Sequence, residues 1–195
     1  MFLIHRPGER TIREVVASQE GAAFSYPEVG ATRLGAPVGY QVHRERFALG
    51  RGPGAFERAK QALREWRMFE MGWLELCWPG APIVPGSTVA VLARHLGLWS
   101  LQVGFWSLHV ARIVYVVDEP RKHGFAYGTL AEHAEAGEEW FGVERREDDS
   151  VWYEVLAFSR EKHVLAKIGY PFTRSLQRRF RRDSGLAMQR AVAGR

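Results

Sequence analysis

The chain has 195 residues, 46% of them hydrophobic and 25% charged, with a formal net charge of +5. That balance excludes general disorder, and the length suits a single domain able to bury roughly two thirds of its unfolded-chain surface. One cysteine, Cys77, excludes an internal disulfide and gives no support for a thiolate metal site, which favours a reducing compartment.

The opening MFLIHRPGER is too short an apolar run for a secretion signal. No run approaches the roughly 18 apolar residues of a membrane span, so a cytoplasmic protein is expected. Arg10 to Gln19 reads as a short amphipathic helix, with Ile12, Val15 and Val16 on one side and Gly21 closing it. Phe24 to Gly39 is rich in Gly and Pro and has no period, so it should wrap the surface or cap an opening. Tyr40 to Leu49 alternates as a strand, and after Gly50 a helix is expected from Ala55 to about Met71, with Phe56, Ala59, Ala62, Leu63, Trp66 and Phe69 at helical spacing. The glycines between them match neither a dinucleotide nor a P-loop spacing and suit a plain turn and helix start.

Strands then become dense. Trp73 to Trp78, Thr88 to Arg94 and His109 to Asp118 read as strands, while the aromatic run Leu98 to Leu108 is ambiguous in register. Gly124 to Phe158 reads as a three-stranded antiparallel meander. Phe125, Tyr127 and Thr129, then Phe141 and Val143, then Val151, Tyr153, Val155 and Ala157 recur at every second position. Its turns are expected at Ala136-Gly137 and at Glu147 to Ser150. Lys162 to Val192 carries Leu165, Ile168, Phe172, Leu176 and Phe180 at helical spacing, with a kink or restart expected near Gly169 and Pro171.

The expected architecture is therefore α+β. A curved antiparallel sheet wraps around a long C-terminal helix, with a second, shorter helix after the first strand: the helix-grip arrangement. The chain divides into residues 1–38 (helix and connector), 39–161 (strand, helix and sheet) and 162–195 (basic helix) of a single domain. Charge is uneven along it, since residues 162–195 hold nine Lys or Arg against one Asp, a net of +8 that leaves −3 for the rest. Arg174, Arg178, Arg181 and Arg182 on that helix allow contact with nucleic acid, an anionic membrane or a protein partner. A solvated helix face is the simpler and preferred reading, and with only Phe180 interleaved no base-stacking platform is supported.

Several blocks also resemble a known family. SYPEVGATR at Ser25 to Arg33, RIVYVVDE at Arg112 to Glu119, GFAYGTL and HAEAGEE across Gly124 to Glu139, and AFSR and LQRRF near the end are similar to the domain-of-unknown-function family numbered nineteen-ninety, found in bacteria and plants. The resemblance covers most of the chain from about Ser25, and departs where Glu161 stands in place of proline. It implies kinship with the START and birch-pollen-allergen helix-grip superfamily, whose members bind lipids, hormones or polyketides in a cavity and in some cases catalyse reactions there.

The candidate site residues are Tyr26, Arg33, Tyr127, Thr129, His133, Glu135 and Glu139. His133 and Glu135, two apart on a strand, share a face and pair an imidazole with a carboxylate, the set for acid–base work. The same residues also suit an exposed polar hairpin end. Tyr26 and Arg33, with Glu28, lie on a connector placed to close over a cavity or to anchor itself. Tyr127 and Tyr153 suit either core or cavity lining. No metal ligand set, no cofactor motif and no serine-hydrolase elbow is present, and a non-enzymatic binder of a hydrophobic or aromatic small molecule ranks ahead of an enzyme.

Overall fold

The computed structural model describes residues 1–35, 37–98, 103–130, 135–161 and 170–194. The strands are β1 (Phe2–His5), β2 (Gln41–Arg51), β3 (Leu74–Leu76), β4 (Thr88–Leu98), β5 (Val103–Glu119), β6 (Lys122–Thr129), β7 (Glu135–Arg145) and β8 (Ser150–Glu161). The helices are α1 (Glu9–Ser18), α2 (Gly52–Arg64) and α3 (Tyr170–Ala193). The strands form one antiparallel sheet in the order β2-β8-β7-β6-β5-β4-β3. β5 is 17 residues long, but β6 pairs only with its Ala111–Glu119 half, and β1 takes the edge left beside Val103–Ser107. The sheet curls around α2 and α3, which is the helix-grip fold.

The main core lies on the concave face. Period-two alternation sends Phe125, Phe141, Val143, Val151, Tyr153 and Val155 inward, where they meet Phe56, Leu63 and Met68 of α2 and the turn after it, and Met188 and Val192 of α3. Phe141 and Tyr153 are fully buried, each removing apolar surface worth about 2–3 kcal/mol. At the C-terminal half of α3 this filling brings helix and sheet into direct contact. Gly185 lets the backbone of α3 sit on the Phe47 ring, which a Cβ would strike. Tyr153 Oη lies 2.7 Å from Ser184 Oγ, both buried. Tyr153→Phe should therefore cost about 1 kcal/mol in urea unfolding, the usual net worth of one such hydrogen bond.

Several expectations need correction. The helix after β2 starts at Gly52 and stops at Arg64, because Trp66 takes a left-handed conformation (φ 58°) and Arg67–Phe69 form a separate 3-10 turn. α3 starts at Tyr170, with Pro171 in its first turn, where a missing N–H costs nothing. The leading part of that helix, 162–169, lies outside the described residues, as does His133. Ala136 and Gly137 are not a turn but part of β7, opposite Arg160 and Ser159 of β8. Glycine is needed at 137 because the backbone of β8 comes so close that a Cβ would collide with the Phe158 carbonyl.

The connector from Phe24 wraps the outside and does not cap the concave face. Tyr26 is only 3% exposed and packs on Phe158 and Ala136 from the convex side, with Phe24 and Tyr40 beside it. Arg33 is on the same side, its guanidinium 3.8 Å from the centre of the Tyr115 ring, so it does not pair with Glu28. Glu28 instead accepts a hydrogen bond from Tyr40 Oη. Both faces of β6, β7 and β8 are thus covered, which accounts for the nearly continuous apolar run of β8.

Candidate functional site

At the end of the sheet where β2 and β7 begin and β6 and β8 stop, the concave face turns polar. Position parity brings His43 and Glu45 of β2, Glu135 and Glu139 of β7, and Tyr127 and Thr129 of β6 to the same side as the core rings. The N-terminal half of α3 covers them with Gln177 and Arg181. Tyr127 stands directly opposite Glu139, and its hydroxyl donates to Glu139 Oε2 at 2.9 Å. Gln177 Nε2 donates to both oxygens of Glu135 at 2.9 Å. Arg181 pairs with Glu45, Nε to Oε1, at 2.8 Å. Thr129 Oγ1 accepts from the Gly137 N–H at 2.9 Å and lies 2.6 Å from Ser25 Oγ, so it ties the connector to the end of β6 and β7.

The electrostatics of this end centre on Glu139. Burial pushes its carboxyl from the usual 4.5 up to about 7, aided by Glu135 and opposed by the Tyr127 hydrogen bond and the charge of Arg181. Burial raises the Tyr127 phenol as well, with the Glu139 charge adding to it, so the phenol stays a donor. His43 moves the other way: burial, then the charges of Arg181 and Arg174, lower its pKa. This lowering favours the neutral imidazole, and its buried Nε2 has no hydrogen-bond partner among the described residues. A carboxyl near pKa 7 can take or give a proton at physiological pH, and the adjacent phenol, with the imidazole of His43 two strands away, can orient a polar group.

Six of the seven candidates separate by face, His133 lying outside the described residues. Tyr127, Thr129, Glu135 and Glu139 meet at the concave polar end, while Tyr26 and Arg33 lie on the convex side. There Tyr26 Oη, Gly30 N, Thr32 N and Thr32 Oγ1 all donate to the carboxylate of Glu138, which is 2% exposed. Gly30 has φ 86°, a left-handed conformation that glycine adopts without strain, and this aims its N–H at Glu138. Sequence reading missed Glu138, His43, Glu45 and Gln177.

It also assigned Arg181 to a surface face. Arg181 is 4% exposed and spent on Glu45, so of the four arginines only Arg174, Arg178 and Arg182 are at the surface. Its spacing from Gln177, Ser184 and Met188 was the available signal. A serine between histidines was missed too: Ser107 Oγ lies 2.6 Å from His95 Nε2 and 2.7 Å from His109 Nε2. At 1% exposure Ser107 offers no approach to a substrate carbonyl, so the trio ties β4 to β5. Among the described residues no group of three or more His, Cys, Asp or Glu is placed to hold a metal ion, and no helix is long and apolar enough to cross a membrane.

Comparison with known proteins fits this picture. The chain is 36% identical to a UPF0548 protein of Deinococcus radiodurans, over 98% of this chain and 99% of the relative. It is 32% identical to a UPF0548 protein of Dictyostelium discoideum, over 98% and 96%. Among solved structures, protein Ms6760 from Mycobacterium smegmatis superposes with a TM-score of 0.51 at 11% identity, over 82% of this chain and 96% of that one, a likeness of fold alone. Residues 25–187, which span β2 to β8 and most of α3, match the family described as "Domain of unknown function (DUF1990)", and the chain belongs to that family.

Proposed function

We propose that the protein binds a small molecule with an apolar or aromatic body and a hydrogen-bonding head, held between the polar end of the sheet and the N-terminal half of α3. The observation that carries this reading is Glu139, an ionisable carboxyl kept inside the grip. Burying such a group costs stability unless it is fully paired, and a site selected for packing alone would carry an apolar residue there. Among the described residues its short side-chain bond is to Tyr127, itself in contact with Phe141 at 5.1 Å between ring centroids. Rings and a proton-exchanging head group are thus adjacent, which is the usual composition of a small-molecule site. The packing of Phe47, Tyr153 and Met188 under the rest of α3 confines the ligand to this end.

Native mass spectrometry of the purified chain tests the reading directly. A retained small molecule should appear, its release should lower the melting temperature, and re-addition at 100 times its Kd should restore about 2.7 kcal/mol. Tyr127→Phe should weaken retention about tenfold through the lost hydroxyl. A chain that retains no molecule, and whose melting temperature responds to none of the lipids, aromatic acids and polyketide-like phenols offered, would refute it.

The same carboxyl favours a second reading, acid–base chemistry on the bound molecule. Glu135, doubly engaged by Gln177, is less suited to that role than Glu139, whose pKa of about 7 matches it. Here Glu139→Gln should abolish turnover while leaving ligand retention intact.

A further inference from the structure

A second concavity lies on the opposite flank of α3. At about 100° per residue, Arg179, Asp183, Leu186 and Arg190 form a row nearly opposite Gln177, Arg181, Ser184 and Met188. Their row faces the segment Met71-Gly72-Trp73 that leads into β3, and Arg94 of β4, enclosing a groove of about 310 Å³. Arg94 is fixed there by its own N–H, which donates to the Trp73 carbonyl at 2.9 Å.

The lining combines positive charge with apolar surface. Three guanidiniums face one carboxylate, a formal excess of +2. Asp183 is already occupied: Trp73 Nε1 donates to it at 3.0 Å, and Arg182 and Arg179 pair with it at 2.8 and 3.4 Å. Arg179 also lies over the Trp73 ring, 4.7 Å from its centre, so its planar group is oriented. Arg190 uses one donor on the Glu70 carbonyl at 3.2 Å, and a guanidinium has five. Beside these charges Leu186 is 43% exposed, an apolar side chain left at the groove wall.

From this geometry we infer that the groove is a binding site for a small amphiphilic anion, a carboxylate or phosphate carried on an apolar body. The anion lies against Arg179 and Arg190, and the apolar body against Leu186 and the Trp73 edge. The volume is near the lower bound of small-molecule pockets, which fits a compact acid or one lipid headgroup and excludes a bulky polymer. The two sources share one chemistry, and two probes separate them.

Titration of 1-naphthoate into the full chain, followed by calorimetry, should give saturable binding, with neutral 1-naphthalenemethanol binding at least about tenfold more weakly. Arg179→Gln and Arg190→Gln should each weaken naphthoate about tenfold or more. Arg190→Gln removes a bond to the Glu70 carbonyl, and circular dichroism should show the variant folded. Glu139→Gln, on the other side of α3, should leave naphthoate affinity unchanged. Co-sedimentation with phosphatidylglycerol vesicles but not phosphatidylcholine ones, abolished by the same arginine variants, would assign the anion to a lipid headgroup and equally support the site. No binding of naphthoate or anionic vesicles, indifference to both arginine variants, equal affinity for the neutral alcohol, or loss of naphthoate binding in Glu139→Gln would each overturn the inference.

Discussion

Glu138→Ala should lower the unfolding free energy by about 3 kcal/mol or more and release the connector from the convex face. One carboxylate accepts from Tyr26 Oη at 2.8 Å, Gly30 N at 2.6 Å, Thr32 N at 3.0 Å and the Thr32 hydroxyl. Tyr26 and Thr32 are 3% and 9% exposed, so water reaches these donors only if the loop moves. Each buried donor left without an acceptor costs about 1–3 kcal/mol, and entry of water recovers part of the sum. Because Thr32 gives its proton to Glu138, Tyr115 donates to Thr32 Oγ1 at 2.7 Å, and the loss extends to that bond. Glu138→Gln should also be costly, since it replaces an acceptor oxygen with an NH2 that faces donors. Exposed Glu144 on the same strand is the control, and its alanine variant should stay within about 0.5 kcal/mol. Urea unfolding gives the energies, and hydrogen exchange at residues 24–35 reports the loop. A loss under about 1 kcal/mol with unchanged loop protection would mean that the contacts of Phe24, Tyr26 and Tyr40 with Phe158 and its neighbours hold the connector without the carboxylate.

That same carboxylate shows what a sequence can and cannot reveal. The meander was legible because alternation is local: Phe125, Tyr127, Phe141, Val143, Val151, Tyr153 and Val155 face one way, as their spacing requires. On the C-terminal helix only the end of the expected stripe is met: Phe180 packs against the core, Leu165 and Ile168 lie outside the described residues, and Met188 and Val192 were not singled out. Glu138 was not legible, because the groups that satisfy it are over 100 positions away, and an acid beside Gly137 has the local signature of a turn. Gly137 misleads in the same direction, since glycine serves both loop conformations and close backbone approach, and only the position of β8 distinguishes them. β1 has four residues and no alternation to recognise; it exists because β5 outruns β6. Tyr127 and Glu139 were within reach as alternating polar members of two apolar strands. Glu45 and Arg181, 136 positions apart, required the helix to be laid across the sheet.

Glu139→Gln should make the protein more stable at pH 8 and leave it nearly unchanged at pH 4. In the folded chain the carboxyl titrates near 7, above its ordinary 4.5. Between those values the folded state keeps a proton that the unfolded state has released, so this group makes stability fall as pH rises from about 4.5 to about 7. Below that window both states are protonated and the group contributes no slope. Above it the cost of ionising a partly buried carboxyl is present, on the order of 2–3 kcal/mol. Glutamine keeps an oxygen to accept the Tyr127 hydroxyl, has nearly the same volume and never ionises, so it removes the slope without removing the bond. Arg181 remains compensated by Glu45 in the variant. Urea unfolding of both proteins at pH 4.5, 6, 7 and 8 measures the difference, which should grow steadily across the window and then level off. A constant difference at all four values would show that Glu139 titrates as an ordinary surface carboxylate, and the proton-exchanging head of the proposed site would be lost with it. A bound molecule that donates a hydrogen bond to the ionised carboxylate would shift the window downward, so repeating the series with ligand distinguishes a partner for the anion from one for the acid.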